Sequence, residues 1–400
     1  MSADTPWMDA DAAARLLGVS RTTLYAYVSR GYVRSQATAG PSRERLYSRD
    51  DVERLRRRTE ARRNPDKEAA RSLQWGLPVL ESSISFIDGQ RLYYRGHDAV
   101  ALSRSRSIAD VAVLIWSGRF EDSFSSAPPR AAVPRVPADA ALPFVARAQA
   151  ILAFAAARDH AAYDLRASSV PHTGWRILHL LTRAARSSPV APTIDQTLAR
   201  AWGVKGHGID LLRSALILCA DHELNVSSFT ARCVASAGSQ PYAVVIAGLA
   251  ALEGIRHGGV SARVEAMLDS IHRARSPHAA VRERLRRGES IDGVGHPLYR
   301  GGDPRATALF EMLRDGYARS RELAFVLDVA EASASLTRER PNLDFSLAAV
   351  ARVLRLPAGA PLTIFAIGRT IGWIGHAIEQ YATAQLIRPR AKYVGAMPIP

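Results

Sequence analysis

Apolar residues recur at helical spacing along most of the 400-residue chain, broken by short Gly, Pro and Ser clusters. The N-terminal stretch is patterned differently from the rest. Asp11 to Leu17 has helical periodicity and stops at Gly18. Ser20 is an N-cap for a second helix, Arg21 to Ser29, which Gly31 ends. Two short helices about a glycine turn make a helix-turn-helix pattern. A polar segment with Gly40-Pro41 and Arg43-Glu44-Arg45-Leu46-Tyr47 suits a hairpin or wing. Ser48 then caps a third helix from Arg49 to about Arg58.

Arg54 to Arg71 carries mixed charges and reads as a solvated linker interrupted by Pro65. The character changes at Gly76. Val79 to Tyr94 alternates apolar and polar residues around Asp88-Gly89, a hairpin signal. Beyond it, Ala/Leu/Arg segments of helical period dominate. The one long loop is Ser125 to Pro143, with five prolines. No internal repeat is present.

Charge changes the picture only partly. The net charge is +15, from 53 basic and 38 acidic residues, and all but three of the basic ones are Arg. That balance suits nucleic acid, phosphates or carboxylates as partners, or else reflects a general bias of composition towards Arg. The N-terminus has no basic region preceding an apolar one, and no apolar run reaches a membrane-spanning ~20 residues. Cys219 and Cys233 sit in apolar segments, forming neither a disulfide framework nor a metal knuckle. A cytoplasmic protein without metal or membrane is expected.

Three of the 11 histidines lie in unusual contexts: His222 in DHELN, His257 in RHGGVS and His296 in DGVGHPLYRGGDPRA. Ser261 reads as an N-cap for a helix over Ala262 to Leu268, so His257 would precede a helix N-terminus, where anions are favoured. Asn342-Leu343-Asp344, Gly368-Arg369 and Arg388-Pro389-Arg390 follow. Singly, each has an ordinary explanation. Asp344 could cap the following helix, and Arg369 could pair with Glu379.

Together and in order, these motifs resemble the citrate synthase family from about Gly76 to the C-terminus. SSISFIDGQRLYYRGHD, DHELNVSSFTAR, HGGVS, GVGHPLYRGGDPRA, PNLDFS, FAIGRTIGWIGHAIEQ and LIRPRAKYVG carry the resemblance. It implies an all-α fold with a large domain (76–252 and 343–400) and a small domain (253–342) that closes over substrates. It implies a transferase of the tricarboxylic acid cycle type. That enzyme condenses acetyl-CoA, or propionyl-CoA, with oxaloacetate and needs no permanently bound cofactor. By the same resemblance Asp344 is the base, His257 the donor to the thioester oxygen and His296 the donor to the ketone. His222, Arg305 and Arg369 bind oxaloacetate, and Arg388 reaches a carboxylate in the partner subunit of a homodimer. Asp292, Gly293, Val294 and Gly295 wrap the CoA adenine. The family usually shows HGGAN where this chain has HGGVS, so Ser261 replaces an Asn, a change that bears on the positioning of His257.

Residues 1–60 resemble the winged helix-turn-helix of MerR and excisionase-type DNA-binding domains, with 61–75 as linker. In that reading Arg21, Thr22, Thr23 and Tyr25 face the major groove, while Arg30, Arg43 and Arg45 meet phosphates. The alternatives are a helical appendage that tethers or dimerises, or a DNA-binding regulator whose larger part senses a metabolite.

Overall fold

Asp9 and Ser20 start the first two helices as their side chains allow: each accepts a hydrogen bond from the backbone N–H three residues on, Ala12 and Thr23. The computed structural model describes residues 7–37, 45–63, 80–120, 142–185, 191–274, 276–391 and 393–397. The chain divides after Glu81 into two units.

The first unit runs β1 (Trp7–Met8), α1 (Ala10–Leu17), α2 (Arg21–Ser29), β2 (Ser35–Ala37), β3 (Arg45–Ser48) and α3 (Arg49–Arg63). The strands form an antiparallel sheet in the order β1-β3-β2. Gly18, at φ 63°, makes the left-handed turn between α1 and α2. Ala13, Leu17, Leu24, Val33, Tyr47 and Val52 form its core. Asp51 is buried at the start of α3. Arg34 grips it through Nε at 2.7 Å and through its backbone N–H at 3.0 Å, and holds its pKa down at about 2. The expected wing is therefore β2–β3, tied to α3 by this pair. Its tip, including Arg43, lies outside the described residues, as do Pro65, Gly76 and nearly all of the proline-rich loop.

The second unit opens with an antiparallel sheet of β4 (Ser85–Ile87), β5 (Leu92–Tyr94) and β6 (His97–Asp98). Asp88 turns the β4–β5 hairpin by accepting from the N–H groups of Gln90 and Arg91 at 2.9 and 2.8 Å. Helices then follow: α4 (Ala99–Ser105), α5 (Ile108–Ser117), α6 (Phe144–Ala156), α7 (Val170–Ala185), α8 (Ile194–Trp202) and α9 (His207–Leu218). Next come α10 (Val226–Ser236), α11 (Pro241–Leu252), α12 (Gly259–His272), α13 (Pro277–Arg286) and α14 (Pro304–Tyr317). The last three are α15 (Arg321–Thr337), α16 (Leu343–Val353) and α17 (Ala360–Thr383).

The centre of this unit is α17, buried along most of its length and packed on α7, α10, α11 and α9. Two glycines one turn apart decide what lies against it. A Cβ on Gly368 would fall 2.4 Å from the Leu216 carbonyl oxygen, and one on Gly372 2.4 Å from that of Ala220. The end of α9 and the loop after it thus lie directly on α17, and Gly372 N–H donates to Ala220 O at 3.0 Å. That loop carries Asp221 and His222. Close backbone approach is what the GRTIG sequence supplies to the site.

Candidate functional site

His222 and His296 meet edge to face, with ring centroids 5.0 Å apart, although 74 positions separate them in sequence. Tyr299 joins them, its hydroxyl 2.9 Å from His222 Nε2. The backbone N–H of Leu298 donates to His296 Nδ1 at 3.2 Å. A neutral imidazole accepting there keeps its proton on Nε2, which is left as the donor. Burial, reinforced by Arg305, lowers the pKa of His296 to about 4 and that of His222 well below the usual range. Both rings are neutral at neutral pH.

Two guanidinium groups share this space. Arg305 is buried at the start of α14 and makes a fork with Asp303, Nε to Oδ1 at 2.9 Å and Nη2 to Oδ2 at 2.7 Å. Asp303 also accepts from the N–H of Leu343 at 3.1 Å, which links α14 to α16. Burial works against both charges, but the pair holds Asp303 below and Arg305 above its ordinary pKa. Arg369, 1% exposed on α17, donates from Nε to the Cys219 carbonyl at 2.8 Å and lies over the Phe365 ring. Its Nη1 is buried with no partner. A buried cation with an unfilled donor is costly unless an anion completes it. The ordinary alternative for Arg369, a pair with Glu379, is not found among the described residues. Glu379 instead meets Arg232 and Arg95.

His257 also meets Phe365, edge to face, with centroids 5.9 Å apart. Burial and Arg369 lower its pKa to about 4. Its Nε2 lies 2.8 Å from Ser227 Oγ, a hydroxyl that also receives Trp373 Nε1–H at 3.2 Å and lies 2.8 Å from Asn225 Oδ1. Ser227 has one proton: given to Asn225 Oδ1, which can only accept, it makes His257 Nε2 the donor of their bond. Given to His257, it leaves Nδ1–H of that ring as a donor.

Asp344 sits in the first turn of α16, and it does not cap that helix. Asn342 does, accepting from the N–H groups of Asp344 and Phe345. Ser261 is not an N-cap either. Its helix begins two residues earlier, at Gly259, because the turn through His257 and Gly258 is already tightly wound. The Ser261 hydroxyl instead donates to Asp344 Oδ1 at 2.5 Å. Burial raises the pKa of Asp344 against the opposing pull of Ser261 and Arg305.

Gly293 and Gly295, at φ 78° and 75°, wind the segment from Asp292 to Gly295 through the left-handed region, with Val294 bridged to Pro341. Asp292 pairs with Arg263 at 2.8 Å. Arg388 is exposed in the stretch after α17, which has no regular secondary structure.

In the first unit, Thr22, Tyr25, Arg30 and Arg45 are exposed, whereas Thr23 is half-buried and bonded to Ser20. Arg21 is exposed on the same helix and pairs with Asp11. Ser227, Tyr299, Asp303 and Asn342 escaped sequence reasoning. They lie within or beside the quoted motifs, but nothing in a Ser or Tyr marks it as a partner of a distant His.

A helical unit closed around neutral histidines, a buried carboxylate and an unsatisfied guanidinium defines a site for small carboxylate chemistry. The chain belongs to the citrate synthase family: residues 72–390 match the family model described as citrate synthase, C-terminal domain. Residues 7–59 match that of a helix-turn-helix domain. The chain is 30% identical to citrate synthase 2 of Bacillus subtilis, over 82% of this chain and 96% of that one. It is 32% identical to citrate synthase of Haloferax volcanii, over 80% and 94% respectively. The crystal structure of citrate synthase from Thermotoga maritima superposes with a TM-score of 0.66 at 26% identity, covering 81% of this chain and 95% of that one. No group of three metal-ligating side chains occurs among the described residues, and none of their helices is long and apolar enough to cross a membrane.

Proposed function

We propose that this protein condenses acetyl-CoA or propionyl-CoA with oxaloacetate, releasing citrate or 2-methylcitrate and CoA. The observation that carries this reading is the buried, unfilled Nη1 of Arg369 beside the neutral His222–His296 pair. Arg369 and Arg305 take the two carboxylates of oxaloacetate, and His222 lines the same pocket. Segment 292–295 receives the CoA adenine through its backbone. Closure of the small domain, 253–342, then excludes water.

Asp344 removes a proton from the carbon next to the thioester carbonyl. Its elevated pKa makes it a stronger base than an exposed carboxylate. His257 donates from Nδ1 to the thioester oxygen, which requires Ser227 to spend its proton on Nε2. The enol carbon bonds to the ketone carbon of oxaloacetate, and His296 Nε2 supplies the proton that the ketone oxygen needs. Water then cleaves the thioester: its oxygen bonds to the carbonyl carbon, one of its protons returns to His296, and the proton held by Asp344 goes to the departing thiolate. A second copy brings Arg388 to the product carboxylate in a homodimer. The test is thiol release from each thioester with oxaloacetate. A folded protein that releases no thiol from either would sink the reading.

The first unit supports a second role, binding duplex DNA. Thr22 and Tyr25 stand exposed on α2, and β2–β3 forms a wing beside it. Binding to operator-like DNA should weaken steeply with salt. Absence of any salt-sensitive shift with DNA from around its own coding region would count against it.

A further inference from the structure

Ser261 stands where the family usually has Asn, and the sequence alone suggested that this would affect His257. The structure connects it elsewhere. Ser261 is fully buried on α12, and its one hydroxyl proton is spent on Asp344 Oδ1 at 2.5 Å. We propose that Ser261 is a positioning residue for Asp344: it pins Oδ1, so that the carboxylate presents Oδ2 to the substrate carbon, and it sets the pH range over which the base is ionised. This rests on the reading of Asp344 as the base.

The geometry leaves Ser261 little choice. α12 and α16 pack against each other, and Ser261 faces Asp344 across that seam. The hydroxyl donates to the charged carboxylate more strongly than to the protonated acid, so it favours the ionised base. The other charged groups around Asp344 come from every neighbouring element. Arg263 lies on the same helix as Ser261, and Asp303 and Arg305 lie at the start of α14. From the α9 side the Cys219 thiol senses Asp344, and α17 contributes Arg369, bonded to Cys219. α15 offers Glu322, which is taken up by Arg352 at the opposite end of α16. Among the described residues Ser261 is the hydrogen-bond donor that reaches the Asp344 side chain, so its removal acts on Asp344 before anything else.

The experiment compares wild type, Ser261→Ala and Ser261→Asn in the full chain. Expected in Ser261→Ala is an acid limb of the kcat profile displaced upward by roughly one pH unit, with the KM for oxaloacetate little changed. Ser261→Asn, whose amide can donate to the same oxygen, should return the limb towards wild type. The carboxyl carbon of Asp344, identified by its absence in Asp344→Asn, is titrated by carbon NMR in the unliganded protein. It should show the same upward displacement in Ser261→Ala. Coincident Asp344 titrations in Ser261→Ala and wild type would overturn the proposal, even in a protein without turnover. A wild type that releases no thiol, with displaced titrations, overturns the proposed reaction and leaves the Ser261–Asp344 coupling standing.

Discussion

The side-chain amide of Asn342 donates to the carbonyl of Gly295 at 3.0 Å, while its carbonyl oxygen caps the helix that begins with Leu343 and Asp344. Its backbone N–H donates to Gly293 O at 2.8 Å. One residue therefore holds the glycine-rich segment to the helix that carries the base. Asn342→Ala removes the cap and the brace together. We expect a loss of about 1 kcal/mol in stability from the cap and a several-fold rise in the KM for the thioester. Thermal unfolding and steady-state kinetics measure the two separately.

Asp344→Asn should reduce turnover by ~10²–10⁴-fold, the usual contribution of a positioned base, without loss of stability. The sign follows from its raised pKa. A carboxyl whose folded-state pKa lies above the unfolded value loses stability as pH rises through that window. At neutral pH its buried charge is therefore a cost. The Asn variant should melt higher than wild type near pH 7, and the difference should shrink as the pH falls. A lower melting temperature at pH 7 would contradict this account of its environment.

Arg305 and Arg369 should separate stability from binding. Arg305→Ala leaves Asp303 buried and unpaired, a change that costs about 3–5 kcal/mol in such sites. Arg369→Met removes a desolvated cation with an unfilled donor, so the fold should keep or gain stability while oxaloacetate binding falls by more than tenfold. Denaturant unfolding and calorimetric titration with oxaloacetate test the pair. Equal destabilisation by both substitutions would contradict the assignment of Arg369 to an external anion.

Stability should fall from about pH 6.5 towards pH 4 for an identifiable reason. Burial holds His179, His257 and His296 at about 4, against 6.5 in the unfolded chain. Below 6.5 the unfolded chain binds protons that these folded rings refuse, so it gains on the folded state until the folded values are reached. Melting temperatures across this range should drop progressively, and His179→Leu should flatten the curve. His179 lies beside Trp175, outside the substrate groups, so that variant should keep its turnover.

In the first unit, replacing Thr22 and Tyr25 together by Ala should abolish sequence preference in DNA binding while leaving thiol release unchanged. Unaltered binding in gel-shift titrations would exclude α2 as the reading helix.

The sequence by itself determined a good deal, because the informative features are local. Ser20 begins its helix through a bond to backbone three residues on. Asp88 turns its hairpin in the same way, and the family motifs are contiguous strings. The glycine pair Gly368 and Gly372 also stood in plain view. What they admit, the end of α9 carrying His222, depends on a segment about 150 residues earlier. Only the tertiary structure decided that Ser261 serves Asp344 rather than a helix start, that Tyr299 belongs to His222, and that Arg21 is engaged by Asp11. Side-chain hydrogen bonds between distant segments have no periodicity and no composition signal. Burial, which neutralises the histidines and raises the pKa of Asp344, exists only once the helices have packed.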